Sequence, residues 1–387
     1  MPVLSAKLWQ DPLGATKRHK KHSGFLNLFF CLLCLLCLFC LLCLFVAMNP
    51  TMAHTDFRGW MPVDAVVVNG RPGLAWMDMK GVNLTEPFFQ QTVDKSKAEH
   101  PDRSEVFTEF DTLIRLEKSF DSISPSGFIF HSSRCGSTLL ANACRAIDGA
   151  TVLSEPPAVD KLVTRFITDT DQQPTKETLY SIFLRAVVNA LAQKRRGDER
   201  HLFVKFGCCS VSQIERIRRI WPNVPWVFLY RDPVETIVSN MQNLPAWLQD
   251  EDHRVLASIT GTSPGEVAAM TKEELCARSI GSFFATACEA HRVANDRAML
   301  LNYNQLNLGE IANVLEFFGV KPAAAEMDNI ARQTQKYSKA ASGERAFLAD
   351  AEAKQLAATD LVREMAARWA ARSYQLLEQN RLGNQSS

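Results

Sequence analysis

The chain has no strong net charge. Its 387 residues include 43 lysines and arginines against 42 aspartates and glutamates, which gives a formal charge of +1. Domains that bind nucleic acid usually carry a clear excess of positive charge, so the composition gives no reason to propose that class of partner. A hydrophobic fraction of 47% over this length is typical of one large globular domain with appendages.

Metal-ligating patterns are lacking as well. The sequence shows no clustered carboxylates or histidines, and the cysteines beyond residue 50 show no C-x-x-C pairing. These cysteines are Cys135, Cys144, Cys208, Cys209, Cys276 and Cys288. We interpret them as buried free thiols and expect no metal.

Charge is missing altogether from residues 25–48, whose one strongly polar side chain is Asn27. About 20 apolar residues span a bilayer as a helix. Basic residues at 17–22 precede this run and no basic cluster follows it, so the positive-inside rule places residues 1–24 in the cytosol. The run is too long for a typical signal peptide. We predict a single-pass membrane anchor, with the large domain on the far side of the bilayer.

A second interpretation of the amino terminus stays open. Five cysteines recur at every third residue within the apolar run. Such a low-complexity repeat would also arise from a wrongly chosen start. The native chain would then begin near Met48 or Met52 and be cytoplasmic.

Residues 49–124 differ from the remainder of the chain in their pattern of apolar and turn residues. Apolar residues at 65–68 and 74–77 flank Asn69-Gly70, a dipeptide typical of tight β-hairpin turns. We interpret this segment as an amino-terminal extension that contains a short hairpin and packs on the main domain.

From residue 125 onward, short apolar runs alternate with helical patterns. The apolar runs lie at 128–130, 151–153, 201–206, 226–230 and 299–301. This alternation predicts an α/β fold, in which a parallel sheet is flanked by helices and ligands bind at the carboxyl ends of the strands. We assign residues 125–322 to this domain and residues 323–387 to helices that complete it.

A loop of small residues joins the first strand of this domain to a helix. It consists of Ser133, Arg134, Cys135, Gly136, Ser137 and Thr138. A strand, a tight turn and a helix start form an anion site, because the first N–H groups of a helix have no partner within it. The alternative is a glycine turn before a helix, with no ligand.

Two familiar phosphate loops do not fit this segment. The nucleotide-binding pattern G-x-x-x-x-G-K-[ST] needs a lysine after its last glycine, whereas here Arg134 precedes Gly136 and no lysine follows. The loop of the cysteine phosphatases needs an arginine six positions after the cysteine, and Ala141 occupies that position relative to Cys135.

Further candidates stand at the ends of predicted strands. Glu155 is held by two following prolines, either as a catalytic base or as a carboxylate that complements the dipole of the next helix. Lys205 ends an apolar strand, where an unpaired lysine is costly unless it reaches solvent. Asp232 and Pro233 begin a helix as its cap and first residue.

The loop and this helix start resemble the two signature motifs of the sulfotransferases that use 3′-phosphoadenosine 5′-phosphosulfate (PAPS). Residues 133–140 match the phosphosulfate loop, with Cys135 in place of the usual serine. The second motif, R-[ND]-P-x-[DE]-x-x-x-S, is matched at Arg231, Asp232, Pro233, Glu235 and Ser239. The resemblance extends over residues 125–320 and implies a P-loop-like fold without metal. The implied reaction moves a sulfuryl group from PAPS to the hydroxyl of a sugar, a lipid or a protein.

The resemblance also implies roles for individual residues. Residues 133–138 would hold the 5′-phosphosulfate, and Arg231 with Ser239 the 3′-phosphate. Lys205 matches the lysine that, with Arg134, would stabilise the transferring group. Gly207 replaces the histidine base of the cytosolic members. Glu155 matches the E-P element of the carbohydrate and related bacterial sulfotransferases, so the role of base passes to Glu155.

Some positions match the family less well. Tyr303 begins a turn similar to the family's Y-E-D-L turn near the nucleotide, although its acidic residues are lost. Lys339 and Arg345 lie in a polar loop that would supplement the 3′-phosphate site or be solvated. Two alternatives to a sulfotransferase stay open. One is a membrane-anchored nucleotide-binding protein without activity, and the other is a P-loop-like phosphotransferase.

Overall fold

The computed structural model describes residues 56–169, 174–334 and 350–383. The predicted anchor at 25–48, the basic residues before it, Lys339 and Arg345 lie outside these ranges. Within them, no helix combines the length and the apolar character that a bilayer span requires.

The strands of the described residues form two sheets. They are β1 (Trp60–Val68), β2 (Arg71–Asp78), β3 (Glu105–Glu109), β4 (Pro125–His131), β5 (Ala150–Ser154), β6 (His201–Lys205), β7 (Trp226–Tyr230) and β8 (Ala298–Asn302). The first three strands are antiparallel neighbours, and the last five form a parallel sheet in the order β5-β6-β4-β7-β8. The α/β fold with a parallel sheet is therefore confirmed.

The helices surround the parallel sheet and are numbered in chain order. They are α1 (Phe89–Glu99), α2 (Phe110–Leu116), α3 (Ser137–Arg145), α4 (Pro157–Thr168), α5 (Pro174–Leu191), α6 (Ile214–Ile220), α7 (Pro233–Gln242), α8 (Ala246–Gln249), α9 (Arg254–Thr260), α10 (Pro264–Ala269), α11 (Lys272–Arg292), α12 (Leu308–Phe317), α13 (Ala324–Thr334), α14 (Ala351–Ala357), α15 (Asp360–Trp369) and α16 (Ala371–Gly383). Short 3₁₀ segments lie at Glu117–Ser119, Cys208–Gln213, Asn295–Arg297 and Tyr303–Gln305.

The strands of the parallel sheet are apolar because both of their faces are buried. Along β4, Phe128 and Phe130 belong to the larger hydrophobic cluster on one face, and Ile129 belongs to the cluster on the other face. This alternation is the period of two that the pleat imposes. Fully burying one such side chain contributes about 1.5–3 kcal/mol. Covering both faces with helices thus stabilises the sheet.

The amino-terminal extension is built on the antiparallel sheet. Its hairpin turns at Asn69 and Gly70, both with positive φ, 51° and 75°, as tight hairpin turns of this type require. Trp76 on β2 is fully buried and donates to the Thr108 hydroxyl on β3 over 2.8 Å. A residue of the extension, Phe88, reaches the carboxyl ends of the parallel strands, where the candidate site lies.

Candidate active site

A polar or charged residue ends or follows each of the five parallel strands. His131 ends β4, Glu155 follows β5, Lys205 ends β6, Arg231 follows β7, and Asn302 ends β8. The carboxyl ends of parallel strands meet at one edge of a sheet, where such folds bind their ligands. The sheet order reverses around β4, so the loop after β4 lies between the residues of β6 and those of β7.

The loop after β4 makes a tight turn into α3. Ser133 and Arg134 have φ values of 70° and 51°, and Gly136, with φ 84°, caps α3. Side chains rarely adopt this left-handed backbone, and such strain is concentrated at functional sites. Ser137 and Thr138, both buried, form the first turn of the helix. The loop thus has the backbone of an anion site.

The side chains of the loop contribute unequally. The Cys135 thiol faces the core and donates to the carbonyl of Leu229 over 3.2 Å, and burial raises its pKa. Cys135 therefore offers the site its backbone but not its sulfur. Arg134 is partly buried and donates to Asn240 Oδ1 over 3.3 Å and to the carbonyl of Asn243. The structure thus holds the guanidinium of Arg134 on the last turns of α7.

Glu155, Lys205 and His131 form one cluster at the ends of three neighbouring strands. The Lys205 amine donates to Glu155 Oε1, and His131 Nε2 lies 3.3 Å from the same oxygen. Strand pairing sets this geometry, because Ser154 is the register partner of Lys205 and the Glu155 N–H donates to the Lys205 carbonyl over 2.8 Å. Sequence analysis predicted Glu155 and Lys205 for this place and missed His131.

Burial and charge act in opposite directions on Glu155. Burial would raise the pKa of this carboxyl, but Lys205 and His131 outweigh burial and hold the pKa well below its usual range. The Lys205 side chain is 1% exposed, whereas that of Glu155 is 28% exposed. The ionised carboxylate is therefore the more accessible member of this pair. Glu155 also has a φ of 52°, a second point of backbone strain at this edge.

Asp160 is a second carboxyl beside this cluster. Its Oδ1 accepts the Gly207 N–H over 3.1 Å, and a Cβ added to Gly207 would lie 3.0 Å from its Oδ2. Burial and the charge of Glu155 raise the pKa of Asp160 to about 7. The lack of a side chain at Gly207 thus leaves room for a carboxyl whose pKa lies near neutral pH.

Phe88 brings the amino-terminal extension to the same cluster. Its ring centroid lies 4.8 Å from the Lys205 amine, a cation–π distance. The neighbouring Phe89 is buried in the core, whereas Phe88 is partly exposed. Phe89 therefore packs in the core, and Phe88 contacts the candidate site.

Arg231 lies in a network at the end of β7. It is 2% exposed, and its Nε donates to Glu235 Oε2 and its Nη2 to Asp350 Oδ1, each over 2.6 Å. The Tyr303 ring centroid lies 4.1 Å from its guanidinium carbon. Burial lowers the pKa of Arg231, but the bonds to Asp350 and Glu235 outweigh burial and raise it. The Nε and Nη2 groups of Arg231 therefore both donate to carboxylates.

Ser239 lies on the helix that carries Glu235, and Tyr303 contacts the loop after β4. Ser239 is partly buried on α7, one turn beyond Glu235 and on the same helix face. Tyr303 packs over the loop, since a Cβ added to Gly136 would lie 3.0 Å from its ring. Tyr303 is therefore the residue that joins the loop after β4 to Arg231.

Sequence analysis did not single out His131, Asp160 or Asp350. A signal existed for His131, because it directly follows the apolar run at 128–130 that predicts a strand. Asp350 carries no local signal, since it lies 119 residues from its partner Arg231. In residues 56–169, 174–334 and 350–383, no group of three or more His, Cys, Asp or Glu side chains is arranged to hold a metal ion.

Comparison with known proteins gives structural similarity alone. No family model and no curated protein sequence matches the chain. The sulfotransferase domain of the olefin synthase of Synechococcus PCC 7002 is 16% identical, with a TM-score of 0.36 over 67% of this chain and 94% of that one. A sulfotransferase of Mycobacterium tuberculosis is 15% identical, with a TM-score of 0.38 over 71% and 80%. A mouse sulfotransferase complexed with PAP (adenosine 3′,5′-bisphosphate) is 14% identical, with a TM-score of 0.32 over 71% and 90%.

These three solved structures are described as sulfotransferases or a sulfotransferase domain, and their similarity to this chain is structural. At this distance of similarity, an assignment of activity has to come from the residues at the strand ends.

Proposed function

We propose that this protein is a sulfotransferase that moves a sulfuryl group from PAPS to an acceptor hydroxyl by in-line transfer. The observation that carries the proposal is the cluster of Glu155, Lys205 and His131 beside the anion loop at 133–138. A base, a buried cation and a phosphate-type loop meet at one edge of the sheet. Sulfuryl transfer needs these three parts, because positioning and charge stabilisation supply most of its catalysis.

The proposed reaction needs no reactant other than PAPS and the acceptor hydroxyl. The acceptor oxygen attacks sulfur, and the bond from sulfur to the 5′-phosphate oxygen breaks. The hydroxyl proton passes to Glu155, and PAP leaves with the electron pair of the broken bond. The product is a sulfate ester of the acceptor.

Lys205 links the negative charge that grows on the sulfuryl oxygens during transfer to the basicity of Glu155. Paired with Lys205, Glu155 is ionised but weakly basic, because its pKa is held low. When negative charge grows on the sulfuryl oxygens, the Lys205 amine donates to them and its bond to Glu155 weakens. The pKa of Glu155 then rises, and the carboxylate becomes a better proton acceptor at the moment when the hydroxyl proton is released.

The donor would span two anion sites. The loop at 133–138 would hold the 5′-phosphosulfate, and Arg231 with Ser239 would hold the 3′-phosphate beside the Tyr303 ring. A guanidinium suits two phosphate oxygens at once. The acceptor would approach along Glu155 and Phe88, where the carboxylate is partly exposed.

The deciding experiment compares PAP with AMP, which lacks the 3′-phosphate. Calorimetry without magnesium should show that the full chain binds PAP far more tightly than AMP or ATP. Arg231→Ala removes a charged hydrogen-bond partner worth about 1.5–3 kcal/mol, so PAP affinity should fall roughly ten- to a hundredfold with AMP affinity little changed. Arg292→Ala is the matched control, because Arg292 pairs with Glu289 on the surface at the end of α11. Equal affinity for AMP and PAP in the unmutated protein would refute the sulfotransferase proposal.

Radiolabelled PAPS separates the enzyme from its alternatives. Incubated with an extract of candidate acceptors, the protein should transfer label to a hydroxyl compound. Binding of PAP without transfer to any acceptor would indicate a nucleotide-binding protein without activity, and magnesium-dependent ATP consumption would indicate a phosphotransferase.

We also propose that residues 25–48 anchor the chain in a membrane with residues 1–24 in the cytosol. The proposal rests on the uncharged apolar run and the basic residues before it. Carbonate extraction of native membranes should leave the protein in the pellet. A native protein that begins near Met48 and is released into the supernatant would contradict it.

A further inference from the structure

One carboxylate, that of Asp350, bridges two buried cations beside α7. Asp350 Oδ1 lies 2.6 Å from Arg231 Nη2, and Asp350 Oδ2 lies 2.5 Å from the Lys354 amine. The Arg231 side chain is 3% exposed and that of Lys354 is 9% exposed, whereas that of Asp350 is 43% exposed. The carboxylate of Asp350 is therefore the accessible member of the group, and the two cations lie buried on either side of it.

Contacts that do not involve Asp350 hold the Arg231 side chain and the helix that carries Lys354. Glu235, 6% exposed, accepts from Arg231 Nε over 2.6 Å. Gln355 donates to Asp232 Oδ1 over 3.0 Å and to Glu235 Oε1 over 3.3 Å, which fastens α14 to the start of α7. Withdrawing the Asp350 side chain would leave Arg231 and Lys354 facing one opening.

The charges of the group leave room for a stronger anion. Burial and the charge of Arg231 lower the pKa of Lys354 in spite of its bond to Asp350. Burial raises the pKa of Asp350, but Lys354 and Arg231 outweigh it and lower the pKa, so the carboxylate stays ionised. A phosphate offers three oxygens and a larger charge to the donors that Asp350 now holds with two oxygens.

We propose that Asp350 is a built-in competitor of the 3′-phosphate of the nucleotide, and that Lys354 binds this phosphate together with Arg231 once Asp350 is displaced. The inference rests on the proposed function, because Arg231 is the residue assigned there to the 3′-phosphate. The nucleotide must replace the Asp350 carboxylate on both cations, so Asp350 weakens binding and favours release of PAP after transfer.

Calorimetry with PAP and AMP tests both halves of the proposal in the full chain. Asp350→Asn keeps the size of the side chain and removes its charge. It should bind PAP about tenfold more tightly than the unmutated protein, with AMP affinity unchanged. Lys354→Met, made in the Asp350→Asn background so that no carboxylate is left unpaired by it, should weaken PAP binding about tenfold without affecting AMP. Asp252→Asn is the matched control, since Asp252 pairs with Arg254 on the surface over 2.6 Å.

Thermal unfolding gives a second readout. Without nucleotide, Asp350→Asn should melt below the unmutated protein, because two buried cations lose their anion. PAP should raise its melting temperature more than it raises that of the unmutated protein, and AMP should not.

The outcomes separate this inference from the proposed function. If the unmutated protein prefers PAP over AMP and Asp350→Asn binds PAP no more tightly, Asp350 is a structural ion pair and the competitor role is refuted. If Lys354→Met leaves PAP affinity unchanged in the Asp350→Asn background, the role of Lys354 is refuted. Equal affinity for PAP and AMP in the unmutated protein overturns the proposed function and this inference together.

Discussion

His131 Nε2 lies 3.3 Å from Glu155 Oε1, the oxygen that also accepts from the Lys205 amine. On its other side, His131 Nδ1 accepts the Ser133 N–H over 3.1 Å. The ring proton of a neutral His131 is therefore placed on Nε2, facing the carboxylate. One imidazole thus connects the proposed base to the proposed phosphosulfate loop.

The role of Glu155 as base is tested by Glu155→Gln, which keeps the shape of the side chain and removes its basicity. Turnover should fall by roughly 10²–10⁴, while PAP affinity stays nearly unchanged. Glu177→Gln is a suitable control, because Glu177 pairs with Arg219 on the surface over 2.7 Å. Turnover like that of the unmutated protein in Glu155→Gln would exclude this residue as the base.

Two substitutions of His131 separate its two contacts. Asn places its amide oxygen near the position of Nδ1, so His131→Asn should retain the bond to Ser133 and lose the contact with Glu155. His131→Gln reaches toward Glu155 and loses the bond to Ser133. We expect kcat to fall about tenfold in His131→Asn with PAP affinity preserved, and PAP affinity to fall about tenfold in His131→Gln. Equal loss of kcat and affinity in both variants would indicate that His131 only packs.

The parallel sheet could be predicted because its strands are continuous apolar runs separated by helical patterns. Strand β3 could not, because Glu105–Glu109 is short and acidic at both ends and becomes a strand by pairing with β2. Ser210 followed by Gln213 three positions later is typical of a capping box at a helix start, yet residues Cys208–Gln213 form a 3₁₀ segment before α6. Cys208, Val211 and Ile214 are buried at intervals of three, the spacing that a 3₁₀ turn brings to one face.

The residues of the candidate site could be predicted only where a charged side chain directly follows or ends a predicted strand. Glu155 and Lys205 could be chosen from their positions at strand ends, and the strand register then places them in contact. The partners of Arg231 could not be chosen in this way. Glu235 was known only as a motif residue, and Asp350 reaches the site through the packing of α14 on α7, which no local pattern encodes.

Gly207 should be intolerant of a side chain for reasons of space. Its φ of −62° suits any residue, but an added Cβ would lie 3.0 Å from Asp160 Oδ2 and 3.2 Å from its Cγ. Gly207→Ala should therefore displace the Asp160 carboxyl and lower the free energy of unfolding by about 1–3 kcal/mol. Gly265→Ala in α10 is the matched control. An added Cβ there meets nothing within 4 Å, so stability should be unchanged or rise by up to about 1 kcal/mol. Urea unfolding measures both, and equal effects of the two substitutions would contradict the packing argument.

The last prediction concerns the pH dependence that Asp160 imparts to folding. Burial and Glu155 raise its pKa from 3.8 to about 7, while the Gly207 N–H and Lys205 oppose the rise. The contact with Cys209 and burial raise the pKa of the nearby Cys208 thiol, and the charges of Glu155 and Asp160 act in the same direction. Asp160 is therefore protonated in the folded chain up to about pH 7 and ionised in the unfolded chain above about pH 4.

Between these two values the folded state binds more protons than the unfolded state, so Asp160 makes stability decrease as pH rises from about 4 to about 7. Asp160→Asn can still accept the Gly207 N–H but does not titrate. Relative to the unmutated protein, the variant should gain roughly 2–4 kcal/mol of unfolding free energy between pH 4 and pH 8. Urea unfolding at intervals across this range measures the difference, and groups that titrate alike in both proteins cancel. Asp252→Asn should show a nearly constant difference over this range, because Arg254 lowers the pKa of Asp252 and its carboxyl is then ionised in both states above about pH 4. A constant difference between Asp160→Asn and the unmutated protein across the range would mean that Asp160 is ionised in the fold, and that Gly207 faces a carboxylate instead of a carboxylic acid.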